Sequence, residues 1–161
     1  MSQTFLKALL SVLFALFASS ALAQMPNPYG ASISLESAKK AAAAAAAEAR
    51  KNNWNMAIAI TDVGGDLVYL EKMDGTQTGS VKVAIDKART AAMFKRPTKV
   101  WQDAVASGGG GLRVLGLEGV VPIDGGLPIV MDGKIVGAIG VSGAAGDQEA
   151  QCAKAGVDTL K

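Results

Sequence analysis

The stretch Gly133-Lys134-Ile135-Val136-Gly137-Ala138-Ile139-Gly140-Val141-Ser142-Gly143 opens on the turn pair Asp132-Gly133 and alternates large apolar residues with glycine and alanine. That period of two predicts a strand. One side carries Ile135, Gly137, Ile139 and Val141, and the other Val136, Ala138, Gly140 and Ser142. Glycine and alanine on the second side leave space where side chains would stand, so a helix or a ligand can approach the backbone closely. The chain is therefore read as a sheet-and-helix domain with at least one tightly covered strand.

Working outward, Asp147 to about Leu160 reads as a closing helix. Leu127–Met131 and Val120–Ile123 read as two further strands, joined through Asp124-Gly125-Gly126 and followed by Asp132-Gly133, both good hairpin turns. Upstream, Ser107–Gly111 is a four-glycine loop, and Thr98 caps a short helix through Ala106 that carries Trp101. A longer helix runs from Ser80 to about Lys95, with Val81, Ala84, Ile85 and Ala88 at helical spacing, and Pro97 ends it. Met56–Thr61 and Leu67–Lys72 form a hairpin around Asp62-Val63-Gly64-Gly65-Asp66. An alanine-rich helix from Ser34 to about Asn53 precedes them. The order is α-β-β-α-α-β-β-β-α. Crossover helices between successive strands are mostly missing, so the expected fold is α/β of the α+β kind. It is a largely antiparallel five-stranded sheet flanked by helices, profilin-like or roadblock-like.

Residues 1–23 are expected to be a signal peptide. Lys7 precedes the apolar stretch Ala8–Phe17, and Ala21-Leu22-Ala23 forms a small-x-small cleavage site before Gln24. Residues 24–33, with two prolines and a glycine, are expected to form a flexible N-terminal arm, leaving 34–161 as one domain. The expected location is a bacterial periplasm or the exterior, with no membrane association after cleavage. Of 16 basic and 14 acidic residues the leader removes one basic residue, so the remaining chain is close to neutral and no nucleic-acid partner is implied. The single cysteine, Cys152, excludes an internal disulfide framework. The complete lack of histidine removes the commonest general base, metal ligand and haem ligand at once.

Several local patterns imitate chemistry and are better read as structure. Gly108–Gly111 lacks the lysine and hydroxyl of a phosphate loop. Asp62, Asp66 and Asp74 miss the calcium-loop spacing and suit turns. Cys152 and Ser142 have no histidine to activate them. The Ser80–Lys95 helix offers more. Lys82, Asp86, Arg89 and Met93 fall four, three and four residues apart and share a face, with Lys87, Thr90 and Arg96 flanking it. Cations above an apolar slot would hold carboxylates through charge-assisted hydrogen bonds, whereas a Lys82–Asp86–Arg89 ion network on a solvated face is the structural alternative.

Taken together, Lys51-Asn52-Asn53-Trp54, Asp62-Val63-Gly64-Gly65-Asp66-Leu67, Met73-Asp74, Lys87-Ala88-Arg89-Thr90-Ala91 and Arg96-Pro97-Thr98 fall in one order along the chain. They continue into Gly125-Gly126-Leu127-Pro128-Ile129, Gly137–Gly143, Asp147-Gln148-Glu149 and Ala153-Lys154-Ala155-Gly156. In this order the chain resembles the GlcG/HbpS family of small haem-binding or haem-degrading domains. The resemblance implies an antiparallel sheet with flanking helices, homo-oligomers, often octamers, and a tetrapyrrole groove in some members. Some relatives place histidine where Asp66 stands here.

With the leader and this resemblance together, the expected function is an exported, non-catalytic module that binds or sequesters non-covalent haem. Lys87, Arg89 and Arg96 are the cation candidates for its propionates. Thr90, Met93 and Thr98 join them as candidate cofactor-binding residues, and Met73, Tyr69 and Cys152 are further candidate iron ligands. No Cys-x-x-Cys-His motif occurs, so covalent attachment is excluded. Two other readings stay open: a binder or weak enzyme for a small carboxylate or hydroxy acid at the same helix, and a purely structural assembly domain.

Overall fold

The computed structural model describes residues 27–161, so the expected leader and its cleavage site lie outside the described residues. Ser34 starts the first helix as its Oγ accepts a hydrogen bond from the Ser37 N–H at 3.2 Å. Helix α1 (Leu35–Lys51) then buries Ala38, Ala41, Ala42, Ala45, Ala46 and Ala49 along one stripe. It stops at Asn52-Asn53, where Asn53 takes a left-handed φ of 58°.

Strands β1 (Ala57–Thr61) and β2 (Leu67–Lys72) form the expected hairpin. Asp62 Oδ1 accepts from the backbone N–H groups of Gly64 (2.8 Å) and Asp66 (3.0 Å), so this carboxylate is spent on the turn. Helix α2 (Ser80–Met93) and the short helix α3 (Lys99–Ala106) follow. Strands β3 (Gly126–Met131) and β4 (Lys134–Ser142) come next, then helix α4 (Gly146–Asp158).

The sheet has four strands, not five, in the order β2-β1-β4-β3 and antiparallel throughout. The expected strand Val120–Ile123 is irregular. Gly119 before it has a φ of 77°, Pro122 within it has no N–H, and the Ile123 N–H turns back to the Val121 carbonyl at 2.9 Å. A segment that spends its donors this way cannot extend a ladder. The four-glycine loop also differs from expectation. From Gly109 it winds into a 3-10 helix, Gly109–Gly116, started by the Gly111 N–H on the Gly108 carbonyl.

Strand β4 lies between β1 and β3, and its two faces do different work. Ile139 and Val141 join Ile58, Ile60 and Ile129 in a cluster packed by the alanines of α1 and by Cys152 and Ala153 of α4. The opposite face receives α2. A β-carbon at Gly140 would overlap the Ala84 carbonyl oxygen, and one at Gly126 would stand 2.7 Å from the Lys87 carbonyl oxygen. The small-residue face thus accommodates a helix backbone at close range, the first of the two uses its composition allows. Ala57, Ala59, Ala84, Ala88 and Ala138 complete this layer.

Described from residue 27, the segment before α1 runs beside β4 beyond the end of β1. The Ile135 N–H donates to the Pro28 carbonyl and the Gly30 N–H to the Ile135 carbonyl, both at 2.8 Å. Tyr29 donates its phenol to the Ala92 and Met93 carbonyls, closing the C-terminal end of α2.

Candidate functional site

Helix α2 carries Lys82, Asp86, Lys87, Arg89, Thr90 and Met93 of the residues singled out by sequence, and its inner and outer faces separate them. Lys87 points inward and is fully buried. Its Nζ donates to Glu149 Oε2 at 2.5 Å and to the Val141 carbonyl at 3.1 Å. Glu149 Oε1 in turn accepts from the N–H groups of Gly143 (2.8 Å) and Ala144 (3.2 Å). This buried pair ties α2 to the end of β4 and to the first turn of α4. Gly125 is required beside it, since a β-carbon there would stand 3.1 Å from Lys87 Nζ and 3.0 Å from Glu149 Cβ.

Thr90 is also buried. Its hydroxyl lies within hydrogen-bond distance of the Asp86 and Gly119 carbonyls, at 2.8 and 3.0 Å, and accepts from the Val121 N–H at 3.0 Å. It holds the irregular 119–121 segment against α2. Thr98 is buried as well and receives the Gly126 N–H at 2.9 Å, pinning the start of β3. Lys87, Thr90 and Thr98 are therefore buried, with their polar atoms bonded inside the fold. Among the other candidate iron ligands, Tyr69 and Met73 pack against the α1 side of the sheet. Cys152 is buried, and desolvation, followed by the negative charges of Glu48 and Glu149, pushes its thiol up to about 11.

The outer face presents Lys82, Asp86, Arg89 and Met93, as the spacing requires. Lys82 pairs with Asp86 at 2.6 Å, and an Arg89 Nη atom lies 3.9 Å from the same carboxylate, so the ion network read from the sequence exists. Arg89 Nε donates to the Gly65 carbonyl at 3.2 Å, leaning the side chain on the β1–β2 turn. Met93 lies against Gly65 from the same side and remains about half exposed. Arg96 stands apart. Its guanidinium lies 5.0 Å from the centre of the Trp101 ring, which is itself edge-on to Phe94.

Beside this network lies an open groove of about 630 Å³, lined by Lys72, Thr78, Val81, Lys82, Ile85, Asp86 and Arg89. That volume lies in the range of about 300–1,000 Å³ usual for small-molecule sites. Its lining combines apolar Val81 and Ile85 with three cations and one carboxylate. Sequence reading found Lys82, Asp86 and Arg89. It gave Val81 and Ile85 only as apolar residues at helical spacing and did not single out Lys72. Lys72 pairs across the ladder with Ala57 at the end of edge strand β2, which brings a cation to the helix from 10 residues upstream of Lys82 in sequence. Nothing in a linear pattern marks that meeting. Among the described residues no group of histidine, cysteine, aspartate and glutamate could hold a metal ion.

Fold and groove define a small sandwich whose four-stranded antiparallel sheet is covered on one face by two helices and on the other by α2, with a cation-rimmed apolar slot on α2's exposed side. The family described as haem degrading protein HbpS-like matches residues 33–158. Protein GlcG of Escherichia coli K12 is 41% identical over 95 residues, covering 59% of this chain and 69% of GlcG. A double-mutant form of HbpS from Streptomyces reticuli superposes with a TM-score of 0.75 at 32% identity, covering 82% of this chain and 89% of HbpS. A PduOC:heme complex shares the fold with a TM-score of 0.73 at 24% identity, covering 81% of this chain and 96% of PduOC. The chain belongs to the HbpS-like family.

Proposed function

We propose that the protein is an exported module that binds or sequesters haem without catalysing a reaction on it, and that the groove on the outer face of α2 is the binding site. The observation that carries this reading is the lining itself: Val81 and Ile85 between Lys72, Lys82 and Arg89. Haem is a flat apolar body with two carboxylates at one edge. An apolar surface suits the macrocycle, and ammonium and guanidinium groups suit the propionates. Family membership supports the reading, as does the heme carried by PduOC. Export rests on Lys7, the Ala8–Phe17 stretch and Ala21-Leu22-Ala23.

Self-association is part of the proposal. Val100, Leu112, Leu115, Leu117 and Ile123 are each more than 40% exposed, and all come from the α3 to β3 excursion. Helix α3 buries none of its residues in the single chain. Concentrated exposed aliphatic side chains of this kind suit a second copy of the chain.

A haemin titration followed in the Soret band tests the site. Arg89→Ala is expected to weaken binding by roughly 1.5–3 kcal/mol, the worth of a hydrogen bond to a charged group, or about 10- to 150-fold in Kd. Lys51→Ala, exposed on α1, is expected to leave binding unchanged. A parent protein without a saturable Soret change would overturn the reading. Equal titration of parent and Arg89→Ala would remove the groove from it.

A further inference from the structure

We infer that the groove recognises a tetrapyrrole by its carboxylates and flat apolar body and does not ligate the iron, so that it accepts metal-free porphyrins as well as haem. This inference rests on the proposed function and narrows it to a ligand class.

The argument is an inventory of donors. The chain has no histidine. The groove lining holds no cysteine, methionine or tyrosine. Met73 and Tyr69 lie across the sheet, against the α1 side. Cys152 is fully buried there too. Met93 is one turn beyond Arg89, seated against Gly65, and is not part of the lining. The remaining candidates inside the groove are already committed. Lys82 Nζ lies 2.6 Å from Asp86 Oδ2, and a lysine ammonium is a donor group with no lone pair to offer iron. Asp86 shares its other oxygen with Arg89 at 3.9 Å. Thr78 contributes only a neutral hydroxyl, a poor ligand.

What the groove does supply is charge complementarity to two carboxylates. Lys72 arrives from β2, and Lys82 and Arg89 from α2, while Val81 and Ile85 lie one helical turn apart on the same helix. Each contact acts on the periphery or on the face of the macrocycle. None acts on its centre.

The experiment compares three probes on the full mature chain: haemin by Soret absorbance, protoporphyrin IX by its own fluorescence, and protoporphyrin IX dimethyl ester by the same fluorescence. Haemin and protoporphyrin IX are expected to bind within about threefold of one another, and the dimethyl ester at least about tenfold more weakly, the loss of one charge-assisted contact. Cyanide added to the haemin complex is expected to shift the Soret band without releasing the ligand. Haemin binding with protoporphyrin IX weaker by about 100-fold or more would show iron ligation and overturn this inference while leaving haem binding intact. An ester that binds as well as the free acid would overturn the carboxylate half of it. Absence of saturable binding by all three would overturn the proposed function, and this inference with it.

Discussion

Replacing Glu149 by alanine removes the partner of a charge that has no route to water. The Lys87 side chain is 1% exposed and the Glu149 side chain 5% exposed, with Nζ and Oε2 at 2.5 Å. After the substitution Lys87 keeps only the Val141 carbonyl at 3.1 Å, and the N–H groups of Gly143 and Ala144 lose their acceptor. An uncompensated buried charge costs about 3–5 kcal/mol. Against a typical total of roughly 5–15 kcal/mol, that is a large share of the stability of a domain this size. In a thermal melt it corresponds to a loss of about 10–20 °C, using a few degrees per kcal/mol. Lys87→Met alone leaves a buried carboxylate that still has its two backbone donors, so it is expected to cost less than Glu149→Ala. The double variant Lys87→Met with Glu149→Gln removes both charges and is expected to recover much of the loss, because two neutral groups have no ionic desolvation to offset. The assay is a double-mutant cycle by urea unfolding with circular dichroism. Should Glu149→Ala cost under about 1 kcal/mol, the range of an exposed ion pair, the claim that this pair is a buried tie between α2 and α4 is refuted.

Gly140→Val is expected to prevent α2 from seating on β4, since even a β-carbon there overlaps the Ala84 carbonyl oxygen, and little folded protein should be recovered by gel filtration. Cys152 is expected to resist Ellman's reagent at pH 8 in the native state and to react fully in urea, because it is buried and its thiol is raised from 9.0 to about 11. The sign follows: the folded state holds the thiol proton more tightly, so stability declines as pH rises from about 9 to about 11, and fast native labelling at pH 8 would contradict this. Light scattering at micromolar concentration is expected to give a mass above that of one chain, and Leu115→Glu, at the most exposed aliphatic side chain of the 3-10 helix, is expected to lower it.

The strand at 133–143 was legible because its two periodic faces obey different size rules, and the fold uses both, with isoleucine and valine toward α1 and α4 and alanine and glycine toward α2. The hairpin at Asp62–Asp66 was legible because turn chemistry is local. The missing fifth strand shows where local reading stops. Val120–Ile123 has the composition of a strand, but Thr90 takes the Val121 N–H and Ile123 folds back on Val121. Competition for the Val121 donor comes from a helix 31 residues away in sequence. The site divides in the same manner. The helical spacing of Lys82, Asp86, Arg89 and Met93 correctly placed them on one face. It could not reveal that Lys87, two residues from Arg89, turns inward to a glutamate 62 residues away. Nor could it bring Lys72 to the groove, because that meeting depends on β2 lying at the sheet edge beside α2.

Helix α2 therefore carries two sets of charges with opposite tasks. Lys87 is fixed by Glu149, and its burial tolerates no side chain at Gly125. Lys82 and Arg89 stay largely at the surface, sharing Asp86 between them, and retain donors for a ligand. The inner pair explains why the outer set can hold its geometry. Once α2 is tied to α4 through Lys87 and to the β1–β2 turn through Arg89, its rotation about its own axis is restricted at two points roughly half a turn apart. Lys72 reaches the groove from edge strand β2, paired with Ala57 of the strand β1 that this helix covers, so the distance between cations on the two elements depends on the packing of Ala57, Ala59, Ala84 and Ala88. Alanine offers little apolar area but few rotamers and a short standoff. A layer built from it fixes a helix close to a sheet, and that closeness lets charges from helix and strand edge converge on one ligand.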